Sequence, residues 1–457
     1  MKRTLKLVIA LALVACMALA VVGCPQPATA SQGIDSENHV IHVGNTAATS
    51  GAFATVGVPF NYAQEAYFWY YTTQTEGYKD ADGNKYTIEF HHYDDGFDGT
   101  AGMTYTKKLV EEDKVFALVG HFGSNTVGAT VDYLQENGIP MVYGVCGVSD
   151  LYDTERNIMT VQPIYDTEGQ SMLATAFASV EVGGLAGSKV GVISTTDEAG
   201  KGMLNGIKIE AQKLGKTFEL QEVAADATDY SAAVTALKNA GCDVVIIAAN
   251  QAPFVNIANT FVTAQYENVN IITSYVSANY GTMGGLVLSG AINDTRNIYA
   301  GAWLVTGSAP DTSFKGWNDF AEFARIMTLY AKHNGETLIK LEDDAVAAAL
   351  LGGYDWAADG VSANYLNSYA MAGYVSANVF CQGLDRMSGK TLTWEAFIDA
   401  MEEAPMNVPM GTSVSYENGQ RLGIDALALN KYTKANFGVG EVYRGITGLA
   451  TLEGSIQ

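Results

Sequence analysis

The sequence predicts an α/β fold that consists of two doubly wound parallel-sheet units in series. Short apolar runs alternate with amphipathic segments over residues 39–143, which is typical of a parallel sheet covered on both faces. The same alternation begins again at residue 189 and continues to residue 273. The chain has 457 residues, of which 48% are hydrophobic and 16% charged, so it is long enough for two or three globular domains.

The first unit is predicted to contain four strands and three helices. We expect its strands at 39–44, 86–93, 115–119 and 141–143, and its helices at 59–72, 102–113 and 126–137. Within the helix at 102–113, apolar and hydroxyl side chains recur at helical spacing. The boundary with the second unit is expected at residues 160–163, TVQP.

The second unit repeats this order. Its strands are expected at 189–193, 218–223, 243–248 and 270–273, and its helices at 200–214, 230–240 and 253–264. A helix-rich stretch follows at 315–404. A last strand pair is expected around 413–429, with Glu417-Asn418-Gly419 as its hairpin turn.

The N-terminus has the pattern of an export signal. Three cationic residues lie within the first six positions, and an apolar run over 7–22 is long enough for a signal-peptide core but short for a membrane span. The run ends in VVGC, which resembles the lipobox of bacterial lipoproteins and predicts lipidation of Cys24 after removal of residues 1–23. Cys16 is an alternative site, and an ordinary secretory signal with a chance cysteine is a second alternative. Residues 24–38 are polar and contain proline, as expected of a tether.

Composition and motifs exclude several function classes. The formal net charge of −23 and the lack of a basic run argue against nucleic acid or anionic lipid as a partner. No phosphate-binding GxxxxGK[ST] loop, GxSxG nucleophile or HExxH zinc helix is present. His91-His92 and Asp94-Asp95 are metal-ligand types, but neighbours on a strand point to opposite faces, so at most alternate members could meet. We therefore expect no catalytic residues, no metal site and no cofactor.

Residues 118–126, LVGHFGSNT, are the candidate binding segment. A predicted strand ends in a glycine, and small polar residues open the next helix. Open α/β sheets bind ligands beyond the carboxyl ends of their strands. Such a turn could bind a phosphate, position a nucleophile or bind another anion. Because phosphate-binding and nucleophile motifs are absent, the sequence favours binding of another anion.

Three segments resemble the type I solute-binding proteins of ABC importers, in the branched-chain amino acid group. They are TAATSGAFATVG at 46–57, YDDGFDGTAGMTYTKKLVEEDKVFALVGHFGSNT at 93–126 and VPMGTSVSYENGQRLGIDALAL at 408–429. The resemblance covers residues 40–432 and implies the type I periplasmic-binding-protein fold, in which two lobes are joined by a multi-strand hinge. It places lobe 1 at 39–160 and 305–407, lobe 2 at 163–300 and 411–457, and the linkers near 160–163, 300–305 and 407–411.

The resemblance also implies a ligand site. Ser124 occupies the position of the family's carboxylate-binding serine, and Asn125 and Thr126 supply helix-capping chemistry; an alternative is that Ser124 and Thr126 only cap the helix. Further ligand positions of the family correspond to Gly147, beside Val145 and Cys146 in one loop, and in lobe 2 to Ala199 and to Asn250, next to Gln251. Phe53, Phe122 and Trp303 are added as aromatic candidates. The family's acid that pairs with the ligand's ammonium corresponds to Tyr275 here, which argues against an α-amino acid and favours an aromatic or other organic acid.

The predicted function is a lipid-anchored receptor outside the cytoplasm, at the outer face of the cell membrane or in the periplasm. It would capture a small organic molecule between its lobes and deliver it to the permease subunits of an ABC transporter. A sensory ectodomain of the same fold is an alternative. An exported enzyme would need a nucleophile or metal set that the sequence does not offer.

Overall fold

The computed structural model describes residues 31–151, 154–182, 184–304, 316–421, 423–424, 427–435 and 441–446. The predicted signal peptide, Cys24 and the first part of the tether lie outside these residues. Within them, the chain forms two large sheets and one two-stranded sheet, with helices packed around the large sheets.

The first sheet contains the first six strands. They are β1 (Ile34–Asp35), β2 (Val40–Ala47), β3 (Thr87–Asp94), β4 (Ala117–Phe122), β5 (Met141–Val145) and β6 (Ile158–Met159). Their order is β1-β2-β4-β5-β6, and β3 pairs with β2. All pairs are parallel except β1 with β2. The helices α1 (Ala54–Gln74), α2 (Gly99–Glu111) and α3 (Ser124–Glu136) alternate with these strands.

The second sheet has seven strands. They are β7 (Val190–Thr195), β8 (Glu219–Val223), β9 (Val244–Ala248), β10 (Asn270–Thr273), β11 (Ile298–Ala302), β14 (Leu427–Tyr432) and β15 (Glu441–Ile446), whereas β12 (Met406–Asn407) pairs with β13 (Ser413–Val414) in the small sheet. The order is β15-β14-β11-β10-β9-β7-β8, and only the pairs that involve β14 are antiparallel. Every residue of β9, VVIIA, is buried, as expected of a central parallel strand.

The remaining helices complete both halves. They are α4 (Tyr165–Phe177), α5 (Glu198–Leu214), α6 (Ser231–Ala240), α7 (Gln251–Thr263), α8 (Tyr280–Leu288), α9 (Trp317–His333), α10 (Ala345–Leu351), α11 (Ser368–Met387) and α12 (Trp394–Glu402). Helix α5 begins where the Asp197 side chain accepts the Gly200 N–H, and it ends at Gly215 in a left-handed conformation. Helix α11 packs on α1 of the first half, which returns the C-terminal helical stretch to the first sheet.

The α/β fold with two parallel sheets is as predicted, and all eight strands of the two repeating units are present. The hairpin prediction is wrong. Residues 417–419 form a turn, but the strands around it do not pair with each other: β13 pairs with β12, and β14 pairs with β11 and β15. Strand β11 and helix α4 lie between the predicted elements and were not foreseen.

Two chain segments run side by side between the halves. The Ile424 N–H donates to the Val161 carbonyl at 2.8 Å, and the Tyr416 hydroxyl donates to the Thr160 carbonyl at 2.8 Å. These contacts place Tyr416 and Ile424 beside residues 160–161, and the crossing expected at 407–411 stays a prediction. Of the predicted crossing at 300–305, residues 300–304 are described and residue 305 lies outside the described residues. The exact division into lobes stays a prediction. None of the helices in the described ranges has the length and apolar composition of a membrane span.

Candidate functional site

A cavity lies between the two halves, at the carboxyl ends of strands from both large sheets. Lobe 1 provides residues from the ends of β4 and β5 and from α1 and α11, and lobe 2 provides residues from α4, α7, β11 and β14. The cavity is lined by Phe53, Val56, Phe97, Phe122, Gly123, Ser124, Val145, Gln162, Tyr165, Asn250, Gln251, Tyr275, Val276, Ala278, Asn279, Gly301, Ala302, Trp303, Leu304, Leu366, Ser368, Tyr369, Met371, Ala372, Asn430 and Tyr432.

The N-terminus of α3 opens into this cavity. Strand β4 ends at Phe122, and Gly123 turns the chain with φ of 102°, a conformation that side chains disfavour. A Cβ at Gly123 would lie 2.9 Å from the Phe97 ring, so the glycine also permits close packing. The N-cap residue is Gly123, so no N-cap side chain accepts a hydrogen bond from the first amides of α3. The first amides of α3 have no intrahelical acceptor, and the helix dipole favours an anion at this position.

Ser124, the first residue of α3, is buried and faces lobe 2. Its hydroxyl lies 3.2 Å from the hydroxyl of Tyr165, the first residue of α4. Thr126 is engaged elsewhere, because its hydroxyl donates to the Asp95 carboxylate at 2.7 Å. Neither hydroxyl therefore acts as a helix cap in the way that the alternative interpretation required. Because one of these two hydroxyls donates to the other, the Ser124–Tyr165 pair leaves one O–H donor beside the free end of the helix.

The buried Asp95 carboxylate stabilises this turn through three hydrogen bonds. One carboxylate oxygen accepts from the Thr46 and Thr126 hydroxyls at 2.8 and 2.7 Å, and the other accepts the Phe97 N–H at 2.9 Å. Burial raises the pKa of Asp95, although these hydrogen bonds oppose the shift. Asp95 thus ties β2, the turn after β3 and α3 together, and it holds Phe97 beside Gly123.

Aromatic side chains form much of the remaining wall. The rings of Phe53 and Phe97 stack with centroids 4.1 Å apart, and Trp303 packs edge-on against Tyr143 at 5.8 Å. Phe122 is buried against Phe60. Such a wall suits a flat or elongated apolar body with a polar end.

Lobe 2 contributes neutral polar groups. The Asn250 amide donates to Asp197 at 3.2 Å, and the Gln251 amide donates to the Thr282 hydroxyl at 2.8 Å, which leaves each side-chain carbonyl oxygen as an acceptor. The Tyr275 hydroxyl donates to the Pro163 carbonyl at 2.9 Å, so its ring, not a free hydroxyl, faces the cavity. Asn430 lines the same side, and its Oδ1 has no hydrogen-bond partner among the described residues.

No Asp, Glu, Lys, Arg or His side chain lines the cavity within the described part of the chain. The acid behind Tyr275 is Glu168 of α4, which is fully buried. Its Oε1 accepts the Tyr275 N–H at 2.7 Å, and its Oε2 accepts from the Ser274 hydroxyl at 2.8 Å. Burial raises the pKa of Glu168 to about 8, against the opposing effect of these hydrogen bonds. At neutral pH the carboxyl group is therefore mostly protonated and supplies little charge to the cavity.

Glu168 nevertheless lies close to the cavity wall. A Cβ at Gly301, which lines the cavity, would lie 3.2 Å from Glu168 Oε1. The acid therefore lies beside two residues that line the cavity, Gly301 and Tyr275. Sequence reasoning assigned the acid's position to Tyr275 and did not identify Glu168, which lies 107 residues earlier in the chain.

The structure brings together eight of the eleven residues predicted for the ligand site: Phe53, Phe122, Ser124, Val145, Asn250, Gln251, Tyr275 and Trp303. The other three do not line the cavity. The Asn125 amide points away and donates to the Phe97 carbonyl at 3.0 Å. Cys146 is buried in the hydrophobic core, and the Gly147 carbonyl accepts the Tyr165 N–H at 2.6 Å, which positions that tyrosine. These eleven assignments stay predictions until a ligand is bound.

Besides the Gly147–Tyr165 backbone bond, two side-chain hydrogen bonds of tyrosines that line the cavity join the lobes. One is the Ser124–Tyr165 contact, and the other runs from the Tyr369 hydroxyl of α11 to the Val276 carbonyl after β10. Sequence reasoning identified neither Tyr165 nor Tyr369. Each tyrosine lies in the first turn of a helix, but no local sequence pattern indicates which residue its hydroxyl contacts.

Comparisons with known proteins agree with this architecture. A family model described as periplasmic binding protein matches residues 40–299. An amino acid binding protein of Pseudomonas aeruginosa is 28% identical over 153 residues, which are 33% of this chain and 40% of the relative. A Leu/Ile/Val-binding protein homolog 3 of Brucella melitensis is 30% identical over 167 residues, or 36% of this chain and 43% of the relative. The matched regions thus span about two fifths of each curated relative.

Solved structures share the fold over most of the chain. A fatty acid ABC transporter substrate-binding protein from Thermomonospora curvata has a TM-score of 0.68 at 16% identity, covering 92% of this chain and 96% of its own. A solute-binding protein of an ABC transporter from Rhodopseudomonas palustris, in complex with p-hydroxybenzoic acid, has a TM-score of 0.66 at 17% identity, with coverages of 89% and 97%. At these identities the likeness concerns the fold.

Proposed function

The chain belongs to the family of periplasmic binding proteins, and on that premise we propose that it is a solute receptor for an ABC importer. It captures a small organic acid between its lobes, outside the cytoplasm, and delivers it to permease subunits. Lipid at Cys24 tethers it to the membrane surface. The observation that supports the ligand class is the uncapped N-terminus of α3, beside Ser124, in a cavity with an aromatic wall.

The ligand's negative charge is held by dipoles and hydroxyls, not by a cation. The first amides of α3 and the hydroxyls of Ser124 and Tyr165 converge on one end of the cavity. A carboxylate placed there accepts charge-assisted hydrogen bonds, each worth about 1.5–3 kcal/mol. Because no charged side chain among the described residues lines the cavity, a single negative charge is the net charge that this site accommodates.

The far end of the cavity argues against an ammonium group. Tyr275 presents its ring, and Glu168 behind it is mostly protonated near neutral pH. A buried ammonium without an ionised partner is costly. An aromatic or aliphatic carboxylic acid fits better, with Gln251 and Asn430 available for a hydroxyl or another neutral polar substituent.

Capture follows from contacts that require both lobes. Ser124 and Tyr369 belong to lobe 1, whereas Tyr165 and Val276 belong to lobe 2, so the hydrogen bonds between them exist only when the lobes are together. A ligand that contacts both sides adds to these bonds and shifts the population towards the closed state. The closed state is the form that we propose the permease recognises.

Calorimetry with matched ligand pairs tests this function. The probes are phenylalanine and leucine, their counterparts without the amino group, and benzoate and 4-hydroxybenzoate. We expect at least one carboxylic acid to bind and each acid to bind more tightly than its α-amino counterpart. Tight binding of an amino acid alone would contradict the proposed ligand class, and binding of none of a wider set of acids in a thermal-shift screen would contradict the receptor function for organic acids.

A further inference from the structure

Two histidines and one glutamate lie close together on one face of the first sheet. His42 lies on β2 directly opposite Glu89 on the edge strand β3, and Gly44 lies opposite His91. Alternate residues of a strand share a face, so Glu89 and His91 lie on the same face as His42. All three are open to solvent in part, with exposed side-chain fractions of 25%, 58% and 24% for His42, Glu89 and His91. None of them lines the cavity between the lobes.

Their ligand atoms are as close together as metal ligands are. His42 Nδ1 lies 3.1 Å from His91 Nε2, and the two Glu89 oxygens lie 3.6 Å from His42 Nδ1 and 3.5 Å from His91 Nε2. In a tetrahedral zinc site with bonds of about 2.0–2.1 Å, two ligand atoms are about 3.3–3.4 Å apart. The separation of the two imidazole nitrogens, and that of each nitrogen from its nearer Glu89 oxygen, lie within a few tenths of an ångström of this value. One ligand atom from each of the three side chains lies within 4.8 Å of the other two.

The backbone holds these groups in register. Eight consecutive residue pairs join β2 and β3 in parallel, from Val40 with Thr87 to Ala47 with Asp94. The two imidazoles come from neighbouring strands, and the carboxylate comes from the position two residues before His91. The backbone thus places three partly exposed side chains with metal-ligand atoms next to one another.

We propose that His42, Glu89 and His91 form a site for a divalent transition-metal ion such as Zn²⁺. Two imidazoles and one carboxylate are a ligand set that suits Zn²⁺, Ni²⁺ or Cu²⁺, whereas Mg²⁺ and Ca²⁺ prefer oxygen ligands alone. Water completes the coordination on the solvent side, because the three groups leave that side open. The ion would connect the edge strand β3 to β2 and stabilise the folded state of lobe 1.

This proposal departs from the expectation that the chain has no metal site. His91 was considered together with His92, Asp94 and Asp95, and the alternation of a strand correctly separates His91 from His92. The actual partners are Glu89, two residues earlier, and His42, which lies 49 residues away in the sequence. Sequence spacing alone does not bring His42 to this position.

Calorimetric titration of the purified, chelator-treated protein with ZnCl₂ tests the site. The protein must have no polyhistidine tag. The variants are His42→Gln, His91→Gln and Glu89→Gln, of which the last changes an exposed side chain and is not expected to affect folding. The control is His92→Gln, because His92 also pairs with a carboxylate, Glu65 at 3.2 Å, but on the opposite face of β3.

We expect wild type and His92→Gln to bind one ion per chain with the same affinity, and each of the three site variants to bind at least about tenfold more weakly. An excess of Mg²⁺ should not displace the ion. Co²⁺ in place of Zn²⁺ should give visible absorption bands that the site variants lack. Equal affinity in wild type and all three site variants, or no stoichiometric binding by the wild type, would overturn the proposal. Neither result depends on the ligand between the lobes.

Discussion

The raised pKa of Glu168 predicts how the stability of the protein depends on pH. The group is fully buried behind Tyr275, and burial raises its pKa to about 8 from a usual value of 4.5. The folded state therefore binds a proton that the unfolded state releases between these two values. Its stabilising contribution is complete below about pH 4.5 and is lost as the pH rises through about 8.

Replacement of Glu168 with glutamine removes this dependence. For one group, the free energy of unfolding falls by up to about 1.4 kcal/mol per pH unit within the interval, or on the order of 3–5 kcal/mol between pH 5 and pH 8. Glutamine keeps an acceptor for the Tyr275 N–H and cannot ionise. Wild type should thus lose stability relative to Glu168→Gln as the pH rises, while other titrating groups cancel in the difference.

Urea denaturation of both proteins without ligand, at several pH values from 5 to 9, measures this difference. Glu222→Gln is the matched control, because Glu222 is exposed on β8 of the same lobe. Its stability profile should run parallel to that of the wild type. Parallel profiles for wild type and Glu168→Gln as well would refute the argument, because they would mean that Glu168 is ionised in the folded state and available to pair with an ammonium.

Three further predictions follow from the export signal, the two-lobe architecture and the turn before α3. Cys24→Ser should release the protein from cells or leave it unprocessed, and continued incorporation of radiolabelled palmitate would show that Cys24 is not the lipidated residue. A saturating ligand should lower the radius of gyration in small-angle scattering, because Tyr369 and Ser124 then stay on their lobe-2 partners; an unchanged profile would count against lobe closure. Gly123→Ala should lower stability by about 1–2 kcal/mol, because its φ of 102° and the nearby Phe97 ring disfavour a side chain, whereas Gly128→Ala, with open space at the Cβ position, should not.

The repeating parts of the fold were predictable because their signals are local. Runs such as VVIIA in β9 are apolar throughout, and the helices that follow them have one buried face. Strand β11, IYAGA, is short and rich in small residues, so its composition gives little indication of a strand. The hairpin prediction is wrong for a different reason. A turn is present at 417–419, but the pairing of the strands depends on contacts between residues far apart in the sequence.

The candidate site was predictable only where a local pattern marks a strand end. Ser124 follows a glycine after β4 and faces the cavity, whereas Asn125 is rotated by one helical position and points away. Tyr165 and Glu168 reach the site from a helix that the sequence did not reveal. Their roles depend on the packing of α4 against both lobes, which no spacing within the sequence encodes.

The central claim is that the free end of α3 and Ser124 hold a carboxylate. The most direct measurement is calorimetry of the best-binding carboxylic acid and its primary amide, with wild type and with Ser124→Ala. We predict that the amide binds wild type about 10- to 150-fold more weakly than the acid. Ser124→Ala should reduce the difference in affinity between acid and amide without abolishing it, because the backbone donors remain. Equal affinities of acid and amide for the wild type would contradict the claim.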